Sequence, residues 1–271
     1  MLDKFSRQIT YLRVSVTDRC NLRCVYCMPE DGVHLKRHED ILSFEDITEI
    51  IRVAATLGIT KIRITGGEPL VRRGIVDLVG KIAKIDGLKE IVMTTNGSLL
   101  APVAQELKAA GLNRINISLD TLDGGKYARI TRGGKISAVL SGIDSALKAR
   151  LPVKINMVLA NGLSDPERKA DREVERMRRF CNSSGIELQL IRQYSLTEPK
   201  SDAADFDRPP PCSECNRLRL LADGKLKPCL HSDVEIPIVM DDIAGSLMDA
   251  IQGKPARGWV CTDSDIMRIG G

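Results

Sequence analysis

Along the first two-thirds of the chain, short runs rich in β-branched residues alternate with stretches whose apolar positions recur at helical spacing. The β-rich runs are YLRVSVT (11–17), KIRITG (61–66), EIVMTTN (90–96), RINISLD (114–120), VKINMVL (153–159) and ELQLIRQY (187–194). Between them lie amphipathic patterns such as SFEDITEIIRVAATLG, opened by the N-cap candidate Ser43 with Asp46 three residues on and closed by Gly58. Strand and helix in alternation predict βα units around a parallel sheet. Six such units either close partly into an incomplete barrel or stay open as a doubly wound sheet, and periodicity does not separate the two. No G-x-G-x-x-G follows the first strand, which weakens the dinucleotide-binding version.

After Tyr194 the rhythm stops. SLTEPKSDAADFDRPPP is polar and proline-rich, hence a loop or linker. RLRLLADGKLKPCL then predicts two short strands around a turn at Asp223-Gly224, and a last helix near 240–252 precedes a glycine-ended tail. The expected division is a barrel-like unit over 1–194 and a C-terminal extension over 195–271.

Composition bounds the function. The 271 residues are 43% hydrophobic, enough for one large core or a core with an extension. The formal net charge of +4 does not announce nucleic-acid binding, yet it suits a basic pocket for an anionic substrate. No segment approaches the roughly 20 uninterrupted apolar residues that cross a bilayer, so a soluble, cytoplasmic protein without membrane or nucleic-acid partners is expected. In a reducing compartment the eight cysteines are not a disulfide framework, and clustered ones read as metal ligands. Cys181 and Cys261 stand alone and read as a helix-packing thiol and a tail thiol.

Cys20, Cys24 and Cys27 fall at C-x3-C-x2-C spacing just after the first strand. Three thiols without a near fourth ligand suit an iron–sulfur cluster that keeps one iron open. Zinc would need a forced partner such as His34, because structural zinc sites close with four protein ligands. The following strands end in TGGEP (65–69), with Glu68 as a carboxylate, then TTNG (94–97) and SLD (118–120), so small and polar groups crowd the rim where βα folds place their chemistry. A second set, Cys212, Cys215 and Cys229, also has three thiols, and with His231 nearby a Cys3His zinc site stays open beside a second cluster. Within it, NRLRL places Arg217 and Arg219 on one face of a strand, as an anion clamp would require.

The C-x3-C-x2-C motif with the tyrosine of VYC, followed by GGEP, resembles the radical S-adenosylmethionine (SAM) superfamily. The wider pattern closely resembles the GTP 3',8-cyclase family, which opens molybdenum cofactor biosynthesis. It comprises R-x-S-x-T-D-R-C-N-x-R-C-x-Y-C-M-P, R-I-T-G-G-E-P-L, T-T-N-G, C-x2-C-N-R-L-R-L, D-G-K-L and a terminal Gly-Gly, and runs from about Arg7 to Gly271. The resemblance implies an α/β fold, an incomplete (β/α)6 TIM-like barrel with a small cluster-binding extension and one 4Fe-4S cluster at each end of the cavity. It assigns Cys20, Cys24 and Cys27 to a cluster whose open iron binds SAM, with Tyr26, Gly67, Glu68 and Ser118 on the SAM side. Arg13, Arg63, Thr94, Lys154, Arg217 and Arg219 match GTP-contacting positions, and Cys212, Cys215 and Cys229 match the ligands of the second cluster. Gly270 and Gly271 resemble a tail that reaches into the cavity and, with Arg217 and Arg219, serves catalysis. The implied reaction cleaves SAM to a 5'-deoxyadenosyl radical, which takes hydrogen from ribose C3' so that the carbon attacks guanine C8.

Implied partners are GTP, a reductant such as flavodoxin or ferredoxin, the downstream cyclic pyranopterin monophosphate synthase and a second copy of the chain. Two features depart from the family pattern. Only seventeen residues separate Tyr194 from Cys212, where the family carries several dozen. Tyr194 stands for a SAM-contacting methionine and Gln189 for an arginine near GTP. The residues alone also leave open a dual-cluster enzyme for another nucleotide or a peptide, and a metal-stabilised binding protein.

Overall fold

A computed structural model describes residues 1–159, 172–193, 196 and 211–262. The six expected strands form in order: β1 (Tyr11–Ser15), β2 (Lys61–Thr65), β3 (Glu90–Thr95), β4 (Arg114–Ser118), β5 (Val153–Leu159) and β6 (Glu187–Arg192). Each pairs in parallel with the next. The helices between them are α1 (Phe44–Thr56), α2 (Ile75–Ile82), α3 (Ala104–Ala109), α4 (Gly124–Thr131), α5 (Ile136–Lys148) and α6 (Arg172–Ser183). The N-terminus of α1 is the predicted one: Ser43 Oγ accepts from Asp46 N, and the Asp46 carboxylate accepts from Ser43 N.

The C-terminal strands do not stand apart. The sheet runs β6-β5-β4-β3-β2-β1-β7-β8-β9, with β7 (Arg217–Leu220) parallel to β1 on its far side. β8 (Lys225–Lys227) returns antiparallel through the predicted turn, where Gly224 takes φ +80°, and β9 (Ile236–Pro237) follows. Helix α7 (Ile243–Gln252) then packs on β8 and β9. With β6 and β9 at its two ends, the sheet is a partial barrel rather than a closed one.

Period-two alternation sorts the strands into two faces. Leu12, Val14, Ile62, Ile64, Met93, Ile115, Ile117, Ile155, Leu218 and Leu220 point to one face and join α1, α2, α5 and α7 in a single apolar core. The opposite face carries Tyr11, Arg63, Asn116, Lys154, Asn156, Gln189 and Arg219, all buried although polar. Burying so many polar groups is unfavourable unless they bond one another or a ligand, which makes this inner face a candidate binding surface. Of the solitary cysteines, Cys181 on α6 is buried in the main core, as a helix-packing thiol should be, whereas Cys261, expected as a tail thiol, is buried with Leu196 and Leu221.

Candidate active site

The two thiol sets lie at opposite ends of the strands. Cys20, Cys24 and Cys27 follow the C-terminal end of β1, whereas Cys212 and Cys215 precede the N-terminal end of β7, its parallel neighbour. Cys229 follows β8, whose antiparallel course returns it to the same end as Cys215. Five residues of β1 at roughly 3.3 Å per residue put on the order of 17 Å between the two ends.

At the first end a turn places the thiols, with Cys27 N and Met28 N both donating to the Cys24 carbonyl at 3.0 Å. Leu22 N donates to Cys20 Sγ at 3.4 Å and Asn96 Nδ2 to the same sulfur at 3.9 Å. The GGEP segment is pressed against this loop: Glu68 N donates to Arg19 O at 2.8 Å, and a Cβ on Gly67 would meet that carbonyl at 2.3 Å, so only glycine fits. Glu68 itself is fully buried. Its carboxylate accepts from Leu70 N at 3.0 Å, Thr95 Oγ1 at 2.7 Å and Asn96 N at 2.7 Å, joining the ends of β2 and β3. Burial pushes its carboxyl up to about 7, against the pull of those three donors. Tyr26 Oη donates to Asp120 Oδ2 just past β4, and Ser118 ends β4 in register with Asn156. All four residues expected beside SAM thus lie at the same rim as the three thiols.

Between the two ends stands a grid of cations. β2, β1 and β7 are neighbours, and their registers align Lys61 with Tyr11 and Arg217 in one row, Arg63 with Arg13 and Arg219 in the next. Like charges opposite one another on a sheet destabilise it unless an anion compensates them. The field is visible at Tyr11. Burial would raise its phenol, yet Arg13, Arg63, Arg217 and Lys61 bring it down from 10.0 to about 8. Lys61 Nζ lies 5.4 Å and Arg63 Cζ 5.8 Å from the centre of its ring. Arg63 Nη1 donates to Thr94 Oγ1 at 2.9 Å. Lys154 pairs with Glu187, while Arg114 Nη2 and Lys61 Nζ reach the Glu90 carboxylate at 3.0 and 2.5 Å.

At the second end, Gly258 N donates to Cys212 Sγ at 3.4 Å and the backbone of His231 bonds the Cys229 sulfur. Burial acts against a Cys215 thiolate, but Lys254 and Arg217 outweigh it and pull that thiol down to about 6. Arg217 is therefore more than a substrate-facing cation, because its side chain also bonds Cys215.

Sequence reasoning missed Tyr11, Lys61, Asn116 and Asn156 on the inner face, and Arg7 and Lys254 at the second end. The first four were signalled by the tripeptides YLR, KIR and RLR and by INIS and KIN, whose alternate residues are polar in otherwise apolar strands. Arg7 and Lys254 carry no such signal. Gly270, Gly271 and Tyr194 lie outside the described residues. Gln189, on β6, is buried in register with Asn156.

The chemistry of the donors fits iron–sulfur clusters. Cys24 and Cys27 are pushed up to about 12 by burial and then by the charge of their neighbouring thiols, so the three sulfurs are close enough to feel one another. Cys229 is raised by burial and also feels Cys215. Among the described residues no three His, Cys, Asp or Glu side chains are grouped as a ready single-ion site.

Residues 14–174 match the Radical SAM superfamily model. The chain is 43% identical to a GTP 3',8-cyclase of Peptoclostridium acidaminophilum over 303 aligned positions, which cover 94% of this chain and 92% of the relative. It is 47% identical to that of Moorella thermoacetica, covering 96% and 97%. The chain belongs to the GTP 3',8-cyclase family. Its 271 residues are fewer than the 303 positions aligned, so the family member from P. acidaminophilum carries residues that this chain lacks, in keeping with a shortened form. Among solved structures, Streptococcus suis SuiB bound to the precursor peptide SuiA superposes with TM-score 0.68 at 14% identity, covering 93% of this chain and 66% of that one. AnSMEcpe with bound AdoMet gives 0.64 at 15%, covering 88% and 80%. At that identity they establish the shared fold.

Proposed function

We infer that the protein converts GTP to 3',8-cyclo-7,8-dihydro-GTP as a radical SAM enzyme, the first step of molybdenum cofactor biosynthesis. The observation that carries this reading is the cation grid of Lys61, Arg63, Arg13, Arg217 and Arg219 lying between two three-thiol sets at opposite ends of one polar face. Cys20, Cys24 and Cys27 would hold the cluster that binds SAM, and Cys212, Cys215 and Cys229 the one that meets the nucleotide. When bound, the first cluster and SAM would supply the radical chemistry that removes hydrogen from the ribose.

The chain's own residues bind and orient. Guanidinium groups in adjacent strands make charge-assisted, paired hydrogen bonds to phosphate oxygens, and their rigid strands fix where the ribose lies relative to the first rim. Tyr26, Gly67, Glu68 and Ser118 shape the SAM side, with Glu68 acting through the backbone donors it collects. Arg13, Arg63, Thr94, Lys154, Arg217 and Arg219 contact GTP, and Gly270 and Gly271 enter the cavity as the tail. The segment 195–271 works as the extension that brings the second cluster. A reductant such as flavodoxin or ferredoxin, a downstream cyclic pyranopterin monophosphate synthase, a homodimer and a cytoplasmic setting complete the reading. Among the described residues no helix is long and apolar enough to cross a membrane.

Anaerobic incubation of the reconstituted protein with SAM, dithionite and GTP tests this. A GTP-dependent product of unchanged nucleotide mass together with 5'-deoxyadenosine is expected. 5'-Deoxyadenosine without any nucleotide product would turn the reading toward another substrate.

A further inference from the structure

Among the described residues Lys254 and Lys227 are the bulkiest of the fully buried side chains, and Lys254 is only 1% exposed. The Lys254 Nζ donates to Arg217 O at 2.7 Å and to Pro228 O at 2.8 Å, and lies 3.7 Å from Cys215 Sγ. One of those carbonyls opens β7, two residues after Cys215; the other immediately precedes Cys229. A single ammonium thus ties the two segments that carry these thiols. The segment that presents it is held in turn by Arg7. The Arg7 guanidinium donates to Pro255 O at 2.7 Å, Ala256 O at 3.2 Å and Cys212 O at 2.9 Å, while its Nε bonds Asp3 Oδ2 at 2.7 Å. Gly258 N then reaches Cys212 Sγ. Residues 254–258 and Arg7 therefore touch every chain segment that supplies the second thiol set.

A buried ammonium is costly unless hydrogen bonds and opposite charge both compensate it. Two carbonyls supply bonds without charge, whereas thiolates supply the charge. A lysine head, compact and with three donors, matches the two oxygens and one sulfur around it. We propose that Lys254 is the positioning cation of the second cluster: it sets the separation of Cys215 from Cys229 and balances the charge of their thiolates. The proposal rests on the second set holding a cluster, as inferred above. Ligand orientation and neighbouring charge are the levers by which protein tunes such a group.

The test uses the full chain, reconstituted anaerobically, as wild type, Lys254→Met and Lys254→Gln. Iron per chain, circular dichroism and an EPR-monitored redox titration are recorded, with the first cluster identified by its response to SAM. Wild type should hold two clusters' worth of iron. Lys254→Met, without donor or charge, should lose about half of it and keep the SAM-responsive signal. Lys254→Gln keeps a donor without the charge. It should either lose the second cluster as well or hold it at a more negative midpoint potential, because a lost positive charge disfavours the reduced form. Full iron at unchanged potential in either folded variant overturns the proposal. So does failure of both to fold, which would assign Lys254 to the core instead. A wild type with only one cluster's worth of iron is a separate result that removes the two-cluster reading, and this proposal with it.

Discussion

The phenol of Tyr26 donates a 2.8 Å hydrogen bond to Asp120 Oδ2, tying the loop that carries the first three thiols to the end of β4. Asp120 Oδ1 accepts in turn from Val158 N at 2.8 Å, so β5 joins the same connection. Burial raises the Asp120 carboxyl, and the Val158 and Tyr26 donors act against that rise. Tyr26→Phe leaves a part-buried acceptor short of a donor, at a cost of about 1 kcal/mol. The expected outcome is a lower melting temperature and SAM cleavage slowed by roughly tenfold or more. Unchanged melting and SAM cleavage would mean that the bond does not hold the loop.

Tyr11 should titrate well below an ordinary tyrosine. Its phenol stands at about 8 rather than 10.0, because four cations offset the burial that would raise it. A folded-state value below the unfolded one adds stability that grows as pH rises from 8 to 10 and is absent below 8. The stability difference between wild type and Tyr11→Phe should therefore widen across that window. Ultraviolet titration should find one phenol ionising near 8 that Tyr11→Phe lacks. Saturating GTP should move that titration upward, since a triphosphate on the grid screens the cations.

The thiols of the two sets should differ in reactivity before cluster insertion. With Cys215 at about 6 and Cys24 and Cys27 at about 12, only Cys215 among these three is a thiolate at neutral pH. Alkylation of the apoprotein near pH 7, mapped by mass spectrometry, should modify Cys215 well before Cys24 and Cys27. Equal labelling would show that Lys254 and Arg217 do not set the charge at the second end.

Arg219 gives the cleaner test of the anion clamp, since Arg217 also bonds Cys215. Truncating Arg219 to Ala should cost on the order of 2–4 kcal/mol of GTP binding, roughly 30- to 1000-fold. In wild type the affinity should fall from GTP to GDP to guanosine, and Arg219→Ala should flatten that gradient at fixed ionic strength. Wild type binding guanosine as tightly as GTP would reduce the grid to a solvated basic face.

The strands were legible because each pairs a run of β-branched residues with a clear boundary, as in KIRITG, which forms β2 over Lys61–Thr65. The first thiol set was legible because all its ligands sit within eight consecutive residues. The placement of β7 beside β1 was not, because no local pattern says which edge of a sheet a later strand will join. That placement is what aligns Arg13 with Arg219 and makes a clamp into a grid. Lys254 was illegible for a different reason. It follows a helix amid polar neighbours, where a lysine is ordinarily solvated, and its burial depends on carbonyls 26 and 37 positions away in the chain.

In the proposed reaction the ribose of GTP, held by the cation grid, loses its C3' hydrogen at the first rim. The most direct measurement is the mass of the 5'-deoxyadenosine formed from unlabelled SAM and GTP carrying deuterium at C3'. 5'-Deoxyadenosine that has gained the deuterium is expected; unlabelled 5'-deoxyadenosine, formed at the same rate with or without GTP, would rule this hydrogen transfer out.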